Sequence, residues 1–336
     1  MACSKYTITN TGSTIVNFNY RRCDDAMWEY QVGLEPSETK NIWLINDTYS
    51  TAYVNNIDVS SITAYPPEPL LPPLELYLTR AGFTNDNLIE VITNFYYDLV
   101  RENLFNRMEY CYLVVADDTT STQTILDQCS YNLINADEFQ LTYYNNPTAD
   151  QIGIQWSSST QSYASTGFIP SVHRKTTTLL QACAGIYQTT NAGNSVDFGS
   201  NGLTSSDNSF AMSSNLGTDL YDAINSAIQF RNIPISTIGF NTMIRDNSIT
   251  DMSCRRNGSE VYFIDSAVST DFCDLPILIG ALGPITNNLW SNNKFNHHFM
   301  ASFTLSELQW YENRVNTLQG EIETALELAS GTRKKY

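Results

Sequence analysis

Cys254-Arg255-Arg256-Asn257-Gly258-Ser259-Glu260-Val261 decides the fold class, because Asn-Gly supplies the two positive-φ residues of a type I′ turn and so predicts a tight antiparallel hairpin. Around it, from residue 110 to 303, strand-length runs alternate with clusters of Asn, Ser, Gly and Thr. These runs are Tyr112 to Val115, Gln140 to Tyr144, Gln151 to Trp156, Leu179 to Tyr187, Ile235 to Phe240, Glu260 to Ile264, Leu275 to Leu282 and Phe299 to Phe303. Regular short strands over so long a stretch predict a two-sheet β-sandwich. Thr218 to Phe230 breaks the pattern and reads as a short helix.

Helical periodicity brackets this region. Leu88, Val91, Ile92, Phe95, Leu99 and Leu104 recur mostly three to five apart, which predicts an amphipathic helix over 86–108 with Asn85 or Asp86 as N-cap. At the other end Thr304-Leu305-Ser306-Glu307 is a capping box. Leu308, Tyr311, Val315, Leu318, Ile322 and Ala325 follow at steps of three and four, so a helix is expected from about Leu305 to Ser330, with Gly331 to stop it. The stripe Leu308, Tyr311, Val315, Leu318, Ile322 could be an oligomer seam pairing with a copy of itself, or could pack on the chain's own sandwich. Residues 331–336 form a short basic tail.

Upstream, Tyr6 to Thr9, Ile15 to Tyr20, Trp28 to Val32 and Asn41 to Ile45 alternate apolar and polar positions between turn residues, which predicts a small β module of about five strands over 1–65. Between the two lies Ala64 to Pro73, with five prolines that cannot donate to a ladder. Residues 66–80 are therefore expected as a Pro-rich linker, serving either as a spacer or as an extended strap on one domain. The sandwich domain with its flanking helices is placed at 81–330.

Composition bounds the function. The 336 residues carry 42% hydrophobic and 12% aromatic side chains, a globular balance, with charged residues at 16%. Eighteen Lys and Arg against 35 Asp and Glu give a net charge of −17, which disfavours nucleic acid and anionic membranes as partners. No run of 18 apolar residues occurs, and the start lacks the plan of a signal peptide, so the mature chain is expected to begin at or next to Met1 after cytoplasmic synthesis. Seven cysteines without a C-x-x-C pair argue for mostly reduced thiols, a Cys3–Cys23 bridge being the one pairing considered.

No catalytic constellation is written in the chain. Gly199-Ser200-Asn201-Gly202 has its Ser in the wrong register for a nucleophile elbow, and no phosphate loop occurs. Glu260 and Asp265, five apart, would sit on opposite faces of a strand, unsuited to paired-carboxylate hydrolysis. His297 and His298 would likewise point to opposite faces and not chelate one ion together, and His173 reads as an ordinary surface or partly buried residue. Oxygen-rich loops at Asp207-Asn208 and Asp246-Asn247 could suit calcium but have no spaced motif. Arg255 and Arg256 read as solvated side chains at the hairpin tip. Tyr (20) and Trp (5) residues could form sugar-stacking platforms with a nearby Asn or Asp for hydroxyls, although strand aromatics more often fill cores. No catalytic residue, cofactor or metal ligand is assigned.

The sandwich region resembles the concanavalin-like (laminin-G-like) domain of tailed-bacteriophage virion proteins. Cys254 to Val261 is similar to that family's central hairpin, Leu278-Ile279-Gly280-Ala281 to the strand after it, and Ala301 to Leu308 to its last strand running into a helix. Tyr163 to Pro170 resembles an early edge of the sandwich, and Tyr6 to Gly12 a β module that opens phage structural proteins. Arg255 departs from the pattern, which often has an aromatic before the Asn-Gly turn. The resemblance implies a mainly β chain with a concanavalin-like sandwich, acting as a non-enzymatic virion structural protein such as a head fibre, capsid decoration or tail appendage. It implies virion localisation, docking on capsid or tail proteins through the N-terminal module, and a dimer or trimer. The alternative is a carbohydrate-binding adhesin that recognises host surface glycan. A glycan hydrolase is the third reading.

Overall fold

Asn257 and Gly258 both take positive φ, 47° and 85°, so the expected hairpin turn is present in the computed structural model of the chain. The structure describes residues 3–10, 13, 16–22, 28–37, 39–50, 57–58, 72–118, 120–190, 196–201, 208–216, 219–227, 229–232, 238–265, 267–283 and 290–330. Two compact units are distinguished, one of residues 1–71 with 93–103 and one of residues 72–92 with 104–336.

The first unit holds β1 (Cys3–Asn10), β2 (Val16–Arg22), β3 (Trp28–Leu34), β4 (Thr39–Ser50) and β5 (Ile57–Asp58). They form one antiparallel sheet in the order β3-β2-β4-β1-β5, so the strand runs read from alternation are present as strands. Cys23, the Cys3 side chain, residues 66–71 and the basic tail lie outside the described residues.

The chain continues with α1 (Pro72–Ala81), α2 (Asp86–Arg101), a 3-10 turn at Phe105–Arg107 and β6 (Met108–Leu113). Then come α3 (Thr122–Cys129), β7 (Thr142–Tyr144), β8 (Thr148–Asp150), β9 (Gly153–Gln155), β10 (Tyr163–Ser165), α4 (Pro170–His173), β11 (Ala182–Gln188) and β12 (Phe198–Ser200). The remainder comprises β13 (Ser209–Leu216), β14 (Asp219–Ser226), β15 (Gln229–Asn232), β16 (Gly239–Arg245), β17 (Met252–Arg256) and β18 (Ser259–Ile264). The last elements are β19 (Leu278–Ile279), β20 (Lys294–Ala301) and α5 (Leu305–Ser330).

A seven-stranded sheet in the order β15-β14-β13-β12-β19-β10-β7 faces an eight-stranded one in the order β18-β17-β16-β11-β20-β9-β8, with β6 also paired to β20. The chain is thus mainly β, with a two-sheet antiparallel sandwich, helix before it and a C-terminal helix, as its patterning predicts. The inner faces meet in one core, where Phe198, Phe210, Met212 and Ile224 from one sheet are buried with Tyr110, Ala184, Met243, Phe295 and Met300 from the other. Helix α5 covers the opposite face of the eight-stranded sheet. Tyr311 lies 4.6 Å from Phe299 and 5.4 Å from Phe303, ring centre to centre. Gly185 makes room under that helix, because a Cβ there would come within 2.6 Å of Thr242 Cγ2 and 2.8 Å of Phe299.

Several expectations are corrected. Thr218 to Phe230 is not a helix: β14 pairs with β13 and places Asp222 and Ile224 inside the sandwich, so tertiary pairing overrides the local pattern. The helix expected to reach 108 stops at Arg101, followed by Asn103 at φ 57°. Its start is as expected, the Asn85 side chain accepting from the N–H groups of Asn87 (3.0 Å) and Leu88 (3.3 Å). Pro72 and Pro73 open α1 instead of extending a spacer, since the first turn of a helix needs no N–H donor from them. The proposed oligomer seam is also withdrawn, because Leu308, Tyr311, Val315 and Leu318 are fully buried and Ile322 nearly so within the single chain. That stripe serves the chain's own core.

Candidate functional site: an aromatic groove on the seven-stranded sheet

Alternation along β10 and β19 sends Ala164 and Ile279 into the sandwich core and leaves Tyr163 and Leu278 on the outer face. Tyr163 is paired across the ladder with Tyr144 of β7, the edge strand. Directly opposite side chains on one face of a sheet approach closely, and here the two rings stack in parallel, 4.6 Å between centres with an 8° interplanar angle. Trp290 stands beside Tyr163 at 5.7 Å. Its buried indole N–H has no hydrogen-bond partner among the described residues.

The outer face at this edge is hollowed into an open groove of about 380 Å³, lined by Tyr144, Tyr163, Ser165, Ser200, Leu275, Pro276, Leu278 and Gly283. Tyr144 is 41% exposed, whereas Tyr163 is buried beneath it. Burial and the neighbouring Tyr144 raise the pKa of Tyr163, so its hydroxyl keeps its proton. Ser165 Oγ accepts from the Gly167 N–H at 3.3 Å, and Ser200 Oγ donates to the Pro276 carbonyl at 2.6 Å. The expected Asn or Asp beside the rings is not in the lining, whose polar groups are hydroxyls. No carboxylate lines the groove among the described residues, and paired-carboxylate hydrolysis requires two.

The other residues singled out from the sequence go elsewhere. His297 and His298 do point to opposite faces of β20. His297 Nε2 meets Tyr311 Oη at 2.8 Å under α5, while His298 faces the sandwich core. There its Nδ1–H donates to the Gly185 carbonyl (2.8 Å) and Nε2 accepts from the Tyr110 hydroxyl (3.2 Å). Burial pushes their pKa values down to about 3 and about 4, so both are neutral in the folded chain. His173 Nδ1 accepts from the Ile169 N–H at 2.9 Å. Asp246 accepts from the Leu305 N–H at 3.0 Å and so caps α5, Asn208 is buried with Nδ2 donating to the Phe272 carbonyl, and Asp207 lies outside the described residues. Among the described residues no group of three His, Cys, Asp or Glu side chains is arranged for a metal ion.

The hairpin arginines are not solvated. Arg255 is buried and its guanidinium meets the Glu312 carboxylate of α5, while Arg256 is partly buried and burial lowers its pKa. Sequence reasoning also missed Arg245, fully buried, which donates to the carbonyls of Ile224, Ser248, Asp251 and Ala267 and so ties β14 of one sheet to β16 of the other. It missed Asp222 too. That carboxyl is buried between the sheets, accepts from the Cys254 thiol at 2.9 Å, and is pushed up to about 7 by burial, with Asp197 adding to the rise. Nothing in local sequence marks these groups, whose partners lie at least 20 residues away except within the Arg245 turn.

No protein-family model and no curated protein matches the chain. Among solved structures, 62% of the chain is similar to 33% of a Trypanosoma rangeli sialidase in complex with sialic acid (9% identity, TM-score 0.42). Sixty per cent is similar to 97% of domain 4 of AbnA, a GH43 extracellular arabinanase from Geobacillus stearothermophilus, in complex with arabinotriose (11% identity, TM-score 0.37). A third likeness, over 62% of the chain and 51% of the other, is to the receptor binding domain of botulinum neurotoxin mosaic serotype C/D (8% identity, TM-score 0.40). The part matched is about a third of the sialidase's length.

Proposed function

We propose that the sandwich is a carbohydrate-binding module and that its ligand seats in the Tyr144–Tyr163 groove. The observation that carries this reading is a stacked aromatic pair standing in an open groove, with the outer ring 41% exposed. An aromatic face matches the apolar face of a pyranose, and the surrounding hydroxyls suit sugar hydroxyls. Hydroxyls and rings without a carboxylate pair favour holding a glycan over cleaving it. A glycan array probed with the purified chain tests this: saturable binding that Tyr144→Ala abolishes is expected, and an array without hits would count against it.

The sequence resemblance supports a finer setting, a non-enzymatic head fibre, decoration or tail appendage of a tailed phage. In that setting the N-terminal five-stranded module docks on capsid or tail proteins and the sandwich projects as the adhesive part. Antibody labelling of intact particles, read by electron microscopy, should then place the chain on the virion. Removal of residues 1–65 should abolish incorporation, and normal incorporation of the truncated chain would remove that role from the module.

A further inference from the structure

We infer that the groove selects neutral glycans and discriminates against sialylated or uronate-bearing ones. This rests on the carbohydrate-binding reading of the same groove. A carboxylate brought onto a protein surface loses water and needs a cation or converging N–H donors in return. Among the described residues the lining supplies no cation. Its eight residues are uncharged, and the described segments that carry them, residues 142–146, 161–167, 196–201 and 275–283, contain no Lys, Arg or His. Two backbone donors beside it are committed, the Gly167 N–H to Ser165 Oγ and the Gly283 N–H to the Gly199 carbonyl. Arg174, on the nearby polypeptide before β11, is turned onto the Phe272 ring at 3.7 Å and donates to the Pro170 and Ser171 carbonyls, outside the lining.

The chain as a whole is negative, with a net charge of −17. The face of a tyrosine ring is itself the negative end of its quadrupole, so it attracts the C–H face of a sugar and repels a carboxylate. All three effects act in one direction.

The test uses matched glycan pairs on one array: N-acetyllactosamine against its sialylated form, and galactan oligomers against oligogalacturonate. Wild type, Tyr144→Ala and Ser165→Lys are compared, with a melting curve for each to establish folding. The expected result is binding to the neutral member at least ~10-fold tighter than to its acidic partner, a difference of about 1.4 kcal/mol. Tyr144→Ala should lose both, and Ser165→Lys, which adds the missing cation to the lining, should narrow the gap. Tyr144-dependent binding that is equal or tighter for the acidic member would overturn the inference while leaving the groove as the binding site. Binding of neither member, or binding indifferent to Tyr144→Ala in a folded variant, would overturn the groove reading and the inference with it.

Discussion

Arg255 on β17 and Glu312 on α5 form an ion pair with the side chains 3% and 0% exposed, Nε to Oε1 at 3.2 Å and Nη2 to Oε2 at 3.2 Å. The Thr242 hydroxyl donates to the same carboxylate and Arg255 donates to the Gly258 carbonyl, so the hairpin tip, the sheet and the terminal helix converge on one buried charge pair. Taking both ions out of water is costly, and the pair holds because its remaining hydrogen bonds are made.

Breaking one half should therefore hurt more than removing both. Arg255→Met or Glu312→Leu alone should cost about 3–5 kcal/mol in urea unfolding, because each strands a buried charge. The double variant should recover much of that loss, and additive losses would mean that the partners are not coupled.

Acid should weaken the fold through the two buried histidines. The unfolded chain takes up protons below about pH 6.5, the ordinary imidazole value, whereas folded His297 and His298 resist protonation down to about 3 and about 4. The unfolded state thus binds more protons in that window, and stability falls as pH falls through it. His298→Gln, which cannot titrate, should give a shallower loss of Tm between pH 6.5 and 4.5 than wild type. An unchanged slope would contradict the assignment.

Asp222 works in the other direction. Its folded pKa, about 7, lies above the ordinary carboxyl value near 4, so the folded state keeps a proton that the unfolded chain releases. Stability is lost as pH rises from about 4 to 7 and then levels off. Asp222→Asn should remove that loss and raise the Tm at pH 8 relative to wild type more than it does at pH 4. Equal shifts at both pH values would show that the carboxyl does not titrate in this way.

Local codes were legible in the sequence wherever neighbouring residues carry them. The Asn257-Gly258 turn, the capping box in which Thr304 N–H reaches Glu307 at 2.7 Å, and α5 from Leu305 to Ser330 follow from residues a few positions apart. The opposed histidines follow from the two-residue period of a strand. Thr218 to Phe230 misled because partial helical spacing gave way to pairing with β13. Arg255 misled because a hairpin tip is normally solvated, and only α5, more than 50 residues on, covers this one. The groove was legible as a residue type and not as a place: Tyr144, Tyr163, Ser200 and Leu278 come from four strands that the topology alone makes neighbours.

The central claim is that a glycan seats on Tyr144, and titration calorimetry tests it most directly. The tightest neutral oligosaccharide from the array would be titrated into wild type, into Tyr144→Ala, and into Leu180→Ala, which alters an exposed apolar side chain outside the groove. Saturable one-site binding by wild type and Leu180→Ala, with a loss of at least ~10-fold in affinity, about 1.4 kcal/mol, for Tyr144→Ala at unchanged Tm, is the predicted result. Equal affinity in all three proteins would contradict it.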